Sequence, residues 1–143
     1  MTPIHILLVE DNEGDILLTK EALEDGKIVT EISISRNGKD AIDFLETQLK
    51  KNKDSLPDLI LLDVNLPKRN GHEVLQYIKE SEQLKQIPVI ILTTSSSDKD
   101  ILLSYKNHAN CFITKPVEAD HFLEVVSSIE NFWISIVKLP SKN

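Results

Sequence analysis

A doubly wound α/β domain on a parallel sheet is what this sequence predicts, and three observations predict it. Short unbroken apolar runs, Ile6-Leu7-Leu8-Val9 and Leu59-Ile60-Leu61-Leu62 among them, are bounded by polar residues, the mark of strands buried on both faces. Strand-like and helix-like patterns alternate five times along the chain, as a parallel α/β sheet requires. Two of the apolar runs end directly in acids, Glu10-Asp11 and Asp63. In an open sheet of this class, ligands sit outside the carboxyl ends of the strands.

Each element has its own signal. Strand one spans residues 4–9. Helix one follows over about 14–24, with Ile16, Leu17, Thr19 and Leu23 facing inward and Gly26 as its stop signal. The alternating run 30–35 reads as an edge strand with one wet face. Helix two covers about 39–49 through Ala41, Ile42, Phe44 and Leu45, and the charged run 50–55 is a solvated loop. Pro57 introduces strand three at 58–62, and helix three covers about 71–80. Pro88 introduces strand four at 89–92, and Ser97 or Asp98 caps a helix four that runs to about 107. Strand five is 111–114, and helix five runs from about 118 to about 137. No repeat, low-complexity run or linker interrupts this order. Residues 1–143 therefore read as one domain, with a core of about 4–130 and residues 131–143 as a helix-five extension and tail.

Composition narrows the function classes. A formal net charge of −7 and a pI near 5.1 argue against nonspecific nucleic-acid binding, which rests on Lys and Arg neutralising phosphates. The single cysteine, Cys111, has no internal partner and reads as a small core residue of a reducing compartment. No basic leader opens the chain and no apolar run approaches a membrane span, so the expectation is a soluble, cytoplasmic protein without a membrane partner. His5, His72, His108 and His121 lack metal-ligand spacing and read as surface or strand-edge residues.

Right-handed crossovers leave few topologies for five such units. The order 2-1-3-4-5 sets strands one and three side by side at the switch point, where Glu10, Asp11 and Asp63 converge. Carboxylates so close repel one another and need a cation, and hard oxygen ligands of this kind select Mg²⁺. Two further strand ends face the same spot, Thr93 after strand four and Lys115 after strand five. An aspartate can serve as a phosphoryl acceptor. With Asp63 in that role, Mg²⁺ screens its repulsion from the phosphoryl group and Lys115 neutralises the remaining charge. Lys115-Pro116 is also a candidate cis peptide.

Four segments carry a resemblance: Leu8-Val9-Glu10-Asp11-Asn12; Leu61-Leu62-Asp63-Val64-Asn65-Leu66-Pro67 with Gly71; Ile91-Leu92-Thr93-Thr94; and Phe112-Ile113-Thr114-Lys115-Pro116. In this order and spacing they make residues 4–130 resemble a response-regulator receiver domain of two-component signalling, a flavodoxin-like fold. The resemblance implies a phosphoprotein whose Asp63 takes a phosphoryl group from the phosphohistidine of a sensor histidine kinase, forming an aspartyl phosphate. It implies Mg²⁺ held directly by Asp11, Asp63 and the backbone carbonyl of Asn65, with Glu10 acting through a metal-bound water. It also implies a switch in which the Thr93 hydroxyl turns inward to the phosphoryl group and the ring at Phe112 follows. The common residue at that last position is tyrosine, and Phe112 has no hydroxyl to offer. Asn12-Glu13-Gly14-Asp15 with Leu18 and Glu21-Ala22-Leu23, Asn65-Leu66-Pro67-Lys68-Arg69-Asn70-Gly71 and Thr93-Thr94-Ser95-Ser96 are similar to the small stand-alone regulators that partner phytochrome-type kinases.

On this reading the protein is a signalling switch and not an enzyme, beyond its own phosphoryl transfer and autodephosphorylation. Its alternatives are a phosphorelay intermediate and a degenerate receiver acting as a binding module. A Mg²⁺-dependent phosphatase with an aspartyl nucleophile usually carries that nucleophile on its first strand with a second acid two residues on, whereas two residues after Asp63 stands Asn65. Lastly, helix five is longer than a sheet of typical strands needs, and its apolar stripe is too broad for one buried face. Phe132, Trp133 and Ile136 are expected to form an interface there, for a homodimer or for kinase docking.

Overall fold

The computed structural model describes residues 3–26 and 29–136, with side chains through Trp133. Five parallel strands form one sheet: β1 (Ile4–Val9), β2 (Thr30–Ser35), β3 (Leu59–Leu62), β4 (Val89–Thr93) and β5 (Cys111–Thr114). Their order is β2-β1-β3-β4-β5, as the crossover argument requires. Registers such as Val9 against Leu62 and Leu62 against Ile91 bring the carboxyl ends of the three central strands to one edge.

Helices α1 (Glu13–Glu24), α2 (Gly38–Lys51), α3 (Gly71–Glu80), α4 (Asp98–Lys106) and α5 (Ala119–Ile129) connect and flank the strands. Alternation in the strands divides the core in two. Leu7, Val9, Ile60, Leu62, Val89 and Ile91 pack with Ala41, Leu45, Val74 and Ile78 of α2 and α3. On the opposite face, Ile6, Leu8, Leu59, Leu61, Ile90 and Leu92 pack with Leu23 of α1 and Phe122, Val126 and Ile129 of α5. The thinnest layer is α4, whose only buried residue is Ser104, with Leu102 and Tyr105 exposed.

Asparagine and serine start four of the helices. Asn12, Asn37, Asn70 and Ser97 each accept a backbone N–H from the first turn that follows, which satisfies donors the helix cannot. Asn70 and Glu73 complete a reciprocal capping box.

Several expectations need correction. Leu17 does not face inward: it is 56% exposed, and the buried positions of α1 are Ile16, Thr19 and Leu23. Helix five is not a single α-helix, because beyond Ile129 the backbone widens into a π-helix over Glu130–Ile136. The extra residue per turn shifts the phase of the stripe. Trp133 packs partly buried on the core while Phe132 stays 53% exposed, the two rings meeting edge to face at 5.9 Å. The side chain of Ile136 and the whole of Val137 lie outside the described residues. The Lys115–Pro116 bond is trans, like every other described peptide bond. His5 is not at the surface: it is buried and bonds Ser33 Oγ through Nε2 at 2.8 Å.

Candidate metal centre at the carboxyl edge of the sheet

The acids that end β1 and β3 come together as expected. Oxygens of Glu10, Asp11 and Asp63 all lie within 4.8 Å of one another. Glu10 and Asp63 are 3% and 5% exposed, whereas Asp11 opens to solvent. Sheet bonds carry these residues past the last strand positions: the Glu10 N–H donates to the Ser35 carbonyl and the Asp63 N–H to that of Val9, both at 3.0 Å. Beyond Asp63 the chain turns tightly against the start of α3, where the Gly71 N–H donates to the Val64 carbonyl at 2.9 Å. A Cβ at Gly71 would stand 2.2 Å from the Asp63 carbonyl oxygen, so only glycine permits this approach.

Each Asp63 oxygen has its own donors. Oδ1 accepts the Thr93 hydroxyl at 2.6 Å and the Asn65 N–H at 2.9 Å, and Oδ2 accepts from Lys115 Nζ at 3.0 Å. The Lys115 ammonium, 6% exposed, also donates to Glu10 Oε1 and, at 2.9 Å, to Asp15 Oδ2. Thr93 and Lys115 are positioned together, since the Lys115 N–H donates to the Thr93 carbonyl at 2.7 Å.

Burial, aided by the Asp63 charge, pushes the Glu10 carboxyl up to about 7 against the opposing pull of Lys115. Burial also works against the Lys115 charge, but the surrounding carboxylates outweigh it and hold the ammonium above its ordinary range. A buried acid cluster with one ammonium carries excess negative charge, and its donor atoms are all hard oxygens. These residues fit a divalent cation such as Mg²⁺.

Two groups of residues here were not anticipated. Asp15 is one. Its signal was readable, because Asn12 is a strong helix cap and the third helical position turns its side chain back toward the strand end. The other is a chain of polar contacts leaving the site. The Ser95 N–H reaches Thr93 Oγ1 at 3.4 Å, the Ser95 hydroxyl donates to Asp100 Oδ2, and Asp100 Oδ1 meets His72 Nε2 at 2.8 Å. Nothing in the spacing of these three residues marks them, because the β4–α4 loop brings them together.

Phe112 is half-buried against the core on the α2–α3 face. Its backbone N–H donates to the Tyr105 hydroxyl of α4 at 3.2 Å, so a phenol does stand beside this strand, supplied from the neighbouring helix.

The response regulator receiver domain family matches residues 6–127. The response regulator Rcp1 of Synechocystis sp. (strain ATCC 27184 / PCC 6803 / Kazusa) is 44% identical over 139 residues, which is 97% of this chain and 95% of that protein. Among solved structures, the phosphorylated cyanobacterial phytochrome response regulator RcpA superposes with a TM-score of 0.92 at 44% identity, covering 98% of this chain and 100% of that one. The Mn²⁺-bound form of Rcp1 superposes with a TM-score of 0.90 at 44% identity, covering 97% and 100%. Fold, site and likeness agree, and the chain belongs to the response regulator receiver domain family.

Proposed function

We propose that this chain is a single receiver, working in the cytoplasm, whose Asp63 accepts a phosphoryl group from the phosphohistidine of a phytochrome-type sensor histidine kinase. One observation carries the assignment of the residue: Asp63 alone of the three acids is buried at the sheet edge with both the Thr93 hydroxyl and the Lys115 ammonium on its carboxylate. An Asp63 oxygen attacks phosphorus and the phosphorus–nitrogen bond breaks. Its electron pair leaves on the imidazole nitrogen, and the product is an acyl phosphate. Thr93 and Lys115 are placed to donate to the phosphoryl oxygens. Asp11, Asp63 and the Asn65 carbonyl, with Glu10 in support, would hold a Mg²⁺ ion, which when bound would offset the repulsion between the carboxylate and the phosphoryl group. Hydrolysis of the acyl phosphate at the same site returns the chain to its starting state.

Intact mass after incubation with a small-molecule phosphodonor tests this reading. One phosphoryl group is expected on the wild type in Mg²⁺, none without a divalent cation, and none on Asp63→Asn. A folded wild type that gains no mass under any condition overturns it in favour of a binding module that never turns over.

The output surface is the end of helix five. The exposed Phe132 and part-buried Trp133, with Ile136 beyond them in sequence, are proposed to pair two copies of the chain. Sedimentation across a range of concentrations should show association for the wild type and a monomer for Trp133→Glu. A wild type that stays monomeric throughout removes the dimer.

A further inference from the structure

The Lys115 ammonium has three N–H donors, and three carboxylates surround it: Glu10, Asp15 at 2.9 Å and Asp63 at 3.0 Å. Glu10 and Asp63 belong to the cluster that fits a divalent cation, and Asp15 does not. This asymmetry has a physical consequence. A cation drawn to Glu10 and Asp63 would compete with Lys115 for their oxygens and repel the ammonium. Of the three contacts, the one to Asp15 lies outside that competition.

The geometry points to Asp15 as a positioning residue that keeps Lys115 at the site when the metal is bound, so that the ammonium can donate to the phosphoryl group. This rests on the reading of Asp63 as acceptor. The Asp15 carboxylate is 26% exposed and stands at the third position of α1, its own N–H bonded to the Asn12 side chain. It is therefore fixed by the helix and not by the metal cluster. Glu13, also in the first turn of α1, pairs instead with Arg36 on the surface. Both acids meet the positive end of the helix; only Asp15 reaches Lys115.

That difference supplies the test. Phosphorylation by acetyl phosphate is measured against Mg²⁺ concentration for the wild type, Asp15→Asn, Asp15→Ser and Glu13→Gln, with thermal midpoints taken alongside. The Ser variant removes the carboxylate without adding an amide donor near the ammonium. The expected result is that the rate at saturating Mg²⁺ falls about tenfold in both Asp15 variants and is unchanged in Glu13→Gln. A merely structural Asp15 would lower the midpoints of both Asp15 variants and leave their saturated rates alone, and that result overturns the role. So does an Asp15 effect confined to the Mg²⁺ concentration needed, with an unchanged plateau, because Asp15 would then act as a general negative charge. A wild type that accepts no phosphoryl group at all is a different failure, that of the Asp63 assignment itself, and takes this role with it.

Discussion

Thr93 donates its hydroxyl hydrogen to Asp63 Oδ1 at 2.6 Å across the adjacent ends of β4 and β3, and the two side chains are 0% and 5% exposed. The hydroxyl thus faces the Asp63 carboxylate. Thr93→Val keeps the shape and removes the donor. It should lower stability by about 1.5–3 kcal/mol, the value of a hydrogen bond to a charged group, while Asp63 remains able to accept a phosphoryl group. Denaturant unfolding and intact mass measure the two parts separately.

Glu10 sets a pH dependence. Burial raises its folded-state value to about 7 from an ordinary 4.5. A carboxyl whose value is raised on folding holds its proton more tightly in the native state. Its stabilising contribution is full below about pH 4.5 and is lost as pH rises through about 7. Unfolding by urea without divalent cation should therefore show declining stability across that window, and Glu10→Gln should flatten the decline. Metal binding needs the ionised acid, so added Mg²⁺ should raise the midpoint more at pH 8 than at pH 5.5.

Gly71 should tolerate no side chain. A Cβ there would stand 2.2 Å from the Asp63 carbonyl oxygen and 2.4 Å from Val64 Cα. Both are backbone atoms, and neither can swing aside. Gly71→Ala is expected to cost about 2–3 kcal/mol in unfolding free energy by overpacking and to slow phosphoryl acceptance, since the turn that moves is the one carrying Asp63. Unchanged kinetics in a destabilised Gly71→Ala would separate the turn from the site.

His108 follows α4 with φ of 68°. Its N–H reaches the Tyr105 carbonyl, and the Ala109 N–H reaches that of Ser104. A helix ending this way favours glycine at the left-handed residue. His108→Gly should raise stability by about 1 kcal/mol, and a lower thermal midpoint would contradict it.

Leu17 and Val117 are 56% and 104% exposed. Leu17 lies two residues beyond Asp15 in α1, and Val117 two residues beyond Lys115. Exposed apolar side chains that follow site residues so closely in sequence suit contact with a protein partner. Leu17→Glu should slow phosphoryl transfer from a kinase at least about tenfold, the scale of one well-packed interface residue. Transfer from acetyl phosphate should be unaffected. Equal slowing with both donors would place the defect in the site itself.

Much of this was legible in the residues because the signals were local or strongly periodic. The strand order, and the meeting of Glu10, Asp11 and Asp63, follow from apolar runs that end in acids and from crossover handedness. Leu17 was misplaced because an amphipathic pattern in which Leu17 and Leu18 adjoin admits two phases, and packing against α5 chose one. The π-helix after Ile129 left no trace in a continuous apolar stripe, because composition does not record how wide a helix is wound. Ser95, Asp100 and His72 were missed for a different reason: Ser95 and Asp100 meet across the turn into α4, and His72 joins them from another helix, 28 residues from Asp100.

Helix α4 buries Ser104 and little else, and its first turn holds Asp100, a link in the polar chain that runs from Asp63 to His72. Elements with few buried contacts open locally at free energies well below that of global unfolding. Amide hydrogens of α4 should therefore exchange far sooner than those of α2 or α3. A weakly seated helix needs only a small differential interaction to redistribute its populations. The thin packing of α4 thus sets how readily this helix can follow a change at Asp63: the less free energy that holds it down, the smaller the rearrangement that moves it.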